Sequence, residues 1–408
     1  MKSERDTNMK LSTGLSILAI SVLYSCKRSY APPAITAPNN YLVVEGVIAA
    51  GQDSTIIKLS RTVNLSGTNT ANPELNATVT VQGDQNVSYN LSQVDTTGRY
   101  GAPPLNLDNS HKYRLLITTT DGKTYASDYE SVKITPPIDT LGYNITGIGL
   151  NIYTNAHDPS NNTKYYRWDY SETYIYNSPI LTYYKFDETN TDPLKMSVTR
   201  TPDELINTCY VTLNSSNVLL NSSAKLTQDV IQNNQITQIP KDSEKILHRY
   251  SIIVRQYALT PEAYAFWSIL KRNTEQIGTI FDVQPSEVKG NIHCTSNPSE
   301  PVVGYISVSS IAQKRIFIDR QDLPLWPYNT ASECTIDSIC WATRAAFPPD
   351  ELKLGELIPV GPVKQVGTCN GEITPSYSVR EGDATCVDCR LHLHGITKVP
   401  VFWTTYGQ

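Results

Sequence analysis

This 408-residue sequence is low in charge and has no long apolar run beyond its first 24 residues. Charged residues make up 18% and apolar residues 39%, a composition too low in charge for a coiled coil and too apolar for a disordered chain. The net charge of −5 excludes an extended basic surface of the kind that binds nucleic acid. With 25 tyrosines and 25 prolines, the sequence predicts a globular, mainly β protein.

Signatures of catalysis are also lacking. The chain has no Gly-x-Ser-x-Gly elbow, no His-Glu-x-x-His zinc motif, no Walker loop and no Gly-x-Gly-x-x-Gly segment that opens a helix. Acidic pairs such as Asp319 with Asp322 occur in turn-rich segments, where carboxylates are common on any protein surface. We therefore expect a noncatalytic protein without a cofactor, and a hydrolase with an unrecognised site is the weakest alternative.

The amino terminus carries an export signal. An apolar run from Leu11 to Tyr24 ends in Leu23-Tyr24-Ser25-Cys26. The run is too short to span a bilayer comfortably and has the length of a signal-peptide core. Its ending looks like a bacterial lipobox, although an ordinary secretory signal or a buried helix would share the apolar run. We predict a lipoprotein signal peptide over residues 1–25 and lipidation of Cys26, which would anchor the mature chain in a membrane.

After Cys26 the chain divides into a tether and two β-rich parts. Residues 26–40 hold the lipidated Cys and a segment rich in Pro, Ala and Asn that reads as a tether. From residue 41, short segments alternate apolar and polar residues, and Asp121-Gly122 between two of them signals a hairpin. This spacing predicts an immunoglobulin-like β-sandwich over residues 41–135. Pro136-Pro137 would end it.

Residues 138–408 are predicted to form a larger β-rich domain with one helix near residues 261–273. Thr260 can cap this helix, Pro261 suits its first position, and Phe266 and Trp267 belong to a broad apolar face. The end of the chain is dominated by Pro, Gly and Cys. We expect an irregular tail tied by disulfides there.

Eight cysteines are present, and six of them lie toward the carboxy terminus. An exported chain meets an oxidising compartment, where such clustering indicates disulfides. The sequence leaves their connectivity open, and Cys209 would be the free thiol if all six pair. The disulfide candidates are Cys294, Cys334, Cys340, Cys369, Cys386 and Cys389.

Cys386, Cys389, His392 and His394 offer two thiols and two imidazoles, which are ligands of structural zinc. Their spacing is tighter than in most zinc sites, and thiols in an oxidising compartment more often pair with each other. We therefore favour disulfides and predict no metal site.

A tyrosine-rich segment between residues 165 and 186 supplies the candidate ligand site. Strand alternation places Tyr166 and Trp168 in a sandwich core and leaves Tyr165, Arg167 and Asp169 facing outward. Aromatic rings beside Asp and Arg suit the binding of a sugar or a peptide. Core packing accounts for most of the segment, and the three outward residues are the candidate ligand-binding residues.

Several short motifs follow one another along nearly the whole mature chain. They are Tyr41-Leu42-Val43-Val44-Glu45-Gly46, Thr135-Pro136-Pro137-Ile138-Asp139, Tyr166-Arg167-Trp168, Gly278-Thr279-Ile280-Phe281-Asp282, Gly290-Asn291-Ile292, Gly304-Tyr305, Cys386-x-Asp388-Cys389-Arg390 and Pro400-Val401-Phe402-Trp403. In this order the motifs resemble the domain of unknown function 4249. The resemblance implies an outer-membrane lipoprotein of Bacteroidota, often encoded beside a TonB-dependent transporter, with no established activity.

From the residues and the resemblance together we expect a lipid-anchored outer-membrane accessory of a TonB-dependent transporter that takes part in nutrient capture or uptake. An independent glycan- or protein-binding surface module is the alternative. We favour the cell surface over the periplasmic face, even though Lys27-Arg28 after the lipidated Cys departs from the acidic residues that surface-exported lipoproteins tend to carry there.

Overall fold

A computed structural model describes most of the chain between residues 40 and 404. The predicted signal peptide, Cys26 and nearly all of the tether lie outside the described residues, as does Cys369. The described residues are 40–63, 72–187, 189, 197–275, 288–328, 334, 336–340, 358–359, 364–366, 376–382 and 384–404.

The first part of the chain folds as a run of antiparallel strands whose alternate side chains are buried. The hairpin predicted at Asp121-Gly122 joins two of them, and only Gly122 has a positive φ, of 81°. Thr119 N–H donates to the carbonyl of Lys123 across this turn, so the loop is longer than the two-residue turn that the dipeptide suggests. The strands are β1 (Leu42–Ala49), β2 (Thr55–Arg61), β3 (Thr78–Gly83), β4 (Ser88–Gln93), β5 (Arg99–Ala102), β6 (Lys112–Thr118), β7 (Thr124–Ser127) and β8 (Glu130–Ser131).

The next part contains longer strands in two main sheets. The strands are β9 (Ile138–Thr146), β10 (Gly149–His157), β11 (Tyr165–Asn177), β12 (Tyr184–Phe186), β13 (Ser197–Thr199), β14 (Thr208–Asn214), β15 (Leu219–Ser222), β16 (Val230–Pro240) and β17 (Tyr250–Ala258). One sheet has the strand order β16-β10-β9. The other begins with β14-β11-β17, and β15 also pairs with β11. Buried side chains from both sheets form a single core, as expected for a sandwich.

The predicted helix is confirmed as α1 (Pro261–Glu275). Thr260 caps it, because its Oγ1 accepts a hydrogen bond from the backbone N–H of Ala263 at 3.2 Å. Ala263 and Phe266 are buried and pack with Tyr257 and Tyr305 in a small third core. The helix is thereby fixed beside the end of β17.

After α1 the chain returns to the first sheet. Strand β18 (Ile292–Cys294) pairs with β7, while β19 (Val303–Gly304) and β20 (Ser307–Ser309) pair in parallel with β1. These short strands extend the sheet to eleven strands and nearly close it. A Cβ on Gly304 would lie 2.2 Å from the carbonyl oxygen of Val44, so only glycine permits this approach. The predicted interval 41–135 therefore leaves out three strands that complete the sheet.

We call β1–β8 with β18–β20 the N-terminal module, and β9–β17 with α1 and β21 (Ile311–Ile318) the C-terminal module. Strand β21 pairs with β17 directly after β20 ends. The chain therefore crosses between the modules three times: beside Thr135, between α1 and β18, and beside Ser310. The predicted mainly β class is confirmed.

The tail holds more regular structure than the sequence suggested. A four-stranded sheet has β25 paired with each of the other three strands. Its strands are β22 (Ile336–Cys340), β23 (Ile358–Pro359), β24 (Lys364–Val366) and β25 (Ser376–Gly382), and two helical turns follow, α2 (Ala384–Val387) and α3 (Val401–Thr404).

Among the described residues, two disulfides fasten the tail. Cys389 is bonded to Cys209 on β14, across 180 residues, and Cys386 is bonded to Cys334. Two sequence expectations need correction here: Cys209 is not the free thiol, and Cys294 is a buried free cysteine rather than a disulfide partner. Cys294 sits on β18 inside the N-terminal core, remote in the fold from the tail. The side chain of Cys340 lies outside the described residues.

Candidate functional site

The candidate ligand residues lie on β11 in the arrangement that strand alternation predicts. Tyr166 and Trp168 are fully buried in the C-terminal core. Each buried polar tip has a partner: Tyr166 OH donates to Asp229 at 2.5 Å and Trp168 Nε1 donates to Gln256 at 2.9 Å. Core packing thus fixes the opposite face of β11, which carries the candidate residues.

Two of the three candidates, Arg167 and Asp169, line a cleft between the modules. The cleft has a volume of about 490 Å³. Glu45 and Lys58 of the N-terminal module line one wall, and Arg255 joins Arg167 and Asp169 on the other. The volume falls within the range of about 300–1,000 Å³ typical of small-molecule sites.

Tyr165 does not line this cleft. Its ring packs against that of Tyr264 on α1, with the centroids 4.8 Å apart. The contact holds the helix against β11. Tyr165 therefore packs beside the cleft and does not contact its interior.

The guanidinium of Arg167 lies against two aromatic rings. Its guanidinium carbon is 4.4 Å from the Tyr257 ring centroid and 4.6 Å from that of Trp267. Such contacts stabilise a cation and fix its plane. Tyr257 is opposite Arg167 in the β11–β17 ladder and Trp267 comes from α1, so a strand pair and a helix together position one guanidinium.

Asp169 is the acidic centre of the same wall. Arg255, its cross-strand neighbour, donates to its Oδ1 at 3.0 Å and also contacts Ser171. Arg167 is farther away, at 3.8 Å. Burial raises the pKa of Tyr257, and Asp169 raises it further, so this phenol keeps its proton at neutral pH.

The opposite wall is more open to solvent. Lys58 and Glu45 form an ion pair at 3.0 Å, and about half of each side chain is exposed. Arg99 of β5 also lines the cleft and pairs with Asp95 at 3.5 Å. These exposed pairs are weak, typically worth about 0–1 kcal/mol, so a ligand could displace them at small cost.

Hydrogen bonds at the crossing between modules keep the walls in register. Thr135 Oγ1 accepts from Ala258 N–H on β17, and Gln256 Nε2 donates to the carbonyl of Pro136. Ser310 Oγ accepts from Thr135 N–H at 2.8 Å. Gln256 and Thr135 are buried, so these hydrogen bonds fix the strand that carries Arg255 and Tyr257 of the cleft.

The cysteine and histidine cluster is not a metal site. Cys386 and Cys389 each belong to a different disulfide, so neither offers a thiolate. His392 stacks on Tyr176 at 3.8 Å, and its Nε2 hydrogen-bonds with Glu244 at 2.8 Å. Across the described part of the chain, no group of three or more His, Cys, Asp and Glu could hold a metal ion.

Sequence reasoning missed the residues that complete the site. Arg255 and Tyr257 lie two residues apart on β17, so they share the face that meets Arg167 and Asp169. The alternation of side chains along β17 could have predicted that these two residues share one face. Lys58, Glu45 and Arg99 join only because the modules pack together, which no local pattern reports.

A family model, Domain of unknown function (DUF4249), matches residues 27–315. The chain belongs to this family. The DUF4249 match spans both modules and both walls of the cleft, and it ends within β21. A search of curated proteins finds no match to the chain. Among the described helices, none has the length and apolar character needed to cross a bilayer.

Proposed function

We propose that this protein is a noncatalytic, lipid-anchored outer-membrane protein that binds a ligand in the cleft between its modules and serves as an accessory of a TonB-dependent transporter in nutrient capture or uptake. The observation that carries the proposal is the cleft itself, with a positioned guanidinium and an ion-paired carboxylate on one wall and displaceable ion pairs on the other. Placement at the membrane rests on the lipobox-like ending at Cys26, and the transporter rests on the family resemblance.

The chemistry of the cleft favours binding over turnover. Asp169 is engaged in ion pairs with Arg255 and with Arg167, so its oxygens are not free to act on a bound ligand. Tyr257 carries a pKa raised above its ordinary value, so it serves as a hydrogen-bond donor. A rigid wall with fixed polar groups lowers the entropic cost of holding a ligand.

Affinity isolation tests the partnership with a transporter. The lipoprotein, tagged at its carboxy terminus, is purified in mild detergent from its native cells with and without a reversible crosslinker. We expect a large β-barrel membrane protein to co-purify. Recovery of the lipoprotein alone in both cases would contradict the accessory role and leave an independent glycan- or protein-binding module, which should then bind a glycan array or a surface protein by itself.

Protease treatment of intact cells tests the membrane face. Surface exposure predicts digestion of the protein before lysis. Digestion only after lysis would place it on the periplasmic face.

A further inference from the structure

The residues lining the cleft carry an excess of positive charge. Four of the side chains are cationic and two are anionic; they are Lys58, Arg99, Arg167, Arg255, Glu45 and Asp169. A concave surface with one dominant sign of charge concentrates ligands of the opposite sign. This balance is local, because the whole chain is acidic, with a net charge of −5.

Arg167 is the least neutralised of the cations on the buried wall. Asp169 lies 3.0 Å from Arg255 but 3.8 Å from Arg167. The Nε atom of Arg167 is buried and has no hydrogen-bond partner among the described residues. A buried donor without a partner is unfavourable, so the guanidinium is not saturated by the protein.

The aromatic rings add a second argument. Tyr257 and Trp267 both lie against the guanidinium of Arg167, at 4.4 and 4.6 Å. Stacking uses the faces of a guanidinium and leaves its N–H edges, which match the oxygen pairs of carboxylates and phosphates. The same contacts occupy ring surface that a neutral sugar would need for stacking.

We infer that the cleft binds a small ligand through an anionic carboxylate or phosphate group, held by Arg167 with Arg255 beside it and Lys58 on the opposite wall. This inference rests on the proposed ligand-binding function and names the chemical class of the ligand. Both oxyanion types have the same paired-oxygen geometry, so the structure assigns the class and the experiment separates its two members.

Calorimetric titration of the mature lipoprotein in mild detergent tests the inference. The probes are citrate for carboxylates, pyrophosphate for phosphates, and trimethyl citrate as the neutral counterpart of citrate. We expect at least one anion to bind, trimethyl citrate not to bind, and the affinity to fall as salt rises. Maltotriose is the neutral sugar control.

Arg167→Gln should weaken anion binding about tenfold or more, because it removes a charge-assisted contact. Arg114→Gln is the matched control: Arg114 also stacks on a tyrosine, 4.6 Å from the ring of Tyr129, but does not line the cleft. It should change affinity less than about twofold, the size of a distant charge effect in salt. Lys58→Gln is a second test at an exposed position, where substitution should not disturb folding. It should also weaken anion binding, so the inference can be tested even if Arg167→Gln does not fold.

Three results would overturn the inference: neither anion binds at millimolar concentration, trimethyl citrate binds as well as citrate, or both Arg167→Gln and Lys58→Gln bind the anion like the wild type. Binding of maltotriose in place of the anions would reject the anionic class while leaving the ligand-binding function in place. Co-purification with a transporter is scored separately, so failure of the ligand class and failure of the accessory role are distinguishable.

Discussion

Thr135 donates two hydrogen bonds to Ser310 where the chain crosses between the modules. Thr135 N–H donates to Ser310 Oγ, and Thr135 Oγ1 donates to the carbonyl of Ser310. The same Oγ1 accepts from Ala258 N–H at 3.0 Å. One buried threonine therefore joins two of the three crossings to strand β17, which carries Arg255 and Tyr257 of the cleft.

Thr135→Val tests this junction. Valine has the shape of threonine but leaves the Ala258 N–H and the Ser310 carbonyl without their partner, so we expect a loss of about 1–3 kcal/mol in the free energy of unfolding. Thr140→Val, at an exposed position on β9, is the matched control and should stay within about 0.5 kcal/mol of the wild type. Equal stability of the two variants in urea denaturation would show that the junction contributes nothing.

Glu300 predicts a pH dependence. Burial by itself would raise the pKa of this carboxyl, but hydrogen bonds from Lys123 and Tyr125 outweigh burial and bring the pKa below its ordinary value of 4.5. Because its pKa is lower in the folded state, the ionised carboxylate stabilises the fold above pH 4.5. This stabilisation is lost as the pH falls through the pKa of the folded state.

Glu300→Gln should therefore unfold more easily than the wild type at pH 7, by about 1–3 kcal/mol, and the gap should narrow below pH 4.5. Along the chain Glu300 lies between β18 and β19, and its carboxylate accepts hydrogen bonds from Tyr125 of β7 and from Lys123 just before it. We therefore expect the variant to loosen the strands that complete the first sheet. Asp128→Asn, which alters an exposed pair, is the control. A gap that stays constant down to pH 3 would refute the ionic contribution.

Peptide mapping without reduction tests the disulfides. We expect one crosslinked peptide pair containing Cys209 and Cys389 and another containing Cys334 and Cys386. Cys294 should react with a thiol reagent only after unfolding, because it is buried. A link between Cys386 and Cys389 would contradict this connectivity.

Cys209→Ser should destabilise the protein by about 2–5 kcal/mol, since it opens a loop of 180 residues. Cys294→Ser provides the comparison, since it removes a thiol from the N-terminal core without breaking a disulfide. A smaller loss in Cys209→Ser than in Cys294→Ser would argue against a stabilising role for the long-range bond.

Metabolic labelling tests the anchor. Cells grown with an alkyne fatty acid should label the wild-type protein and retain it in the membrane fraction, because acyl chains bury apolar surface in the bilayer. Cys26→Ala should lose both the label and the membrane retention, and Cys294→Ala should keep them. Labelling that persists in Cys26→Ala would reject the lipobox interpretation.

Local patterns in the sequence were enough for the mainly β class, for α1 and for the two faces of β11. Strand alternation predicted that Tyr166 and Trp168 are buried, and the capping residue Thr260 predicted where the helix begins. Patterns indicated a short strand near Gly304–Ser310 but could not assign β18–β20 to the first sheet, since strands of two or three residues show no period. Their place in the first sheet comes from long-range pairing with β1 and β7.

The residues of the cleft also divide into those that local patterns predict and those that only tertiary packing brings together. Arg167 and Asp169 were predictable because they share the outward face of one strand. Lys58 and Arg99 were not, because they lie in another module and meet the cleft only through tertiary packing. Cys209 was missed for the same reason: its partner is 180 residues away, and spacing favours cysteines that are near in sequence.

Blocking the cleft tests the central claim most directly. Wild-type protein and Ser54→Trp, which places a large ring on an exposed lining residue, are dialysed against a low-molecular-mass extract of the native growth medium, and the retained compounds are identified by mass spectrometry. Ser88→Trp, exposed on β4 away from the lining, is the control. The account predicts that the wild type and Ser88→Trp retain the same compound and that Ser54→Trp loses it. Equal retention by all three proteins, or by none, would contradict a ligand site in the cleft.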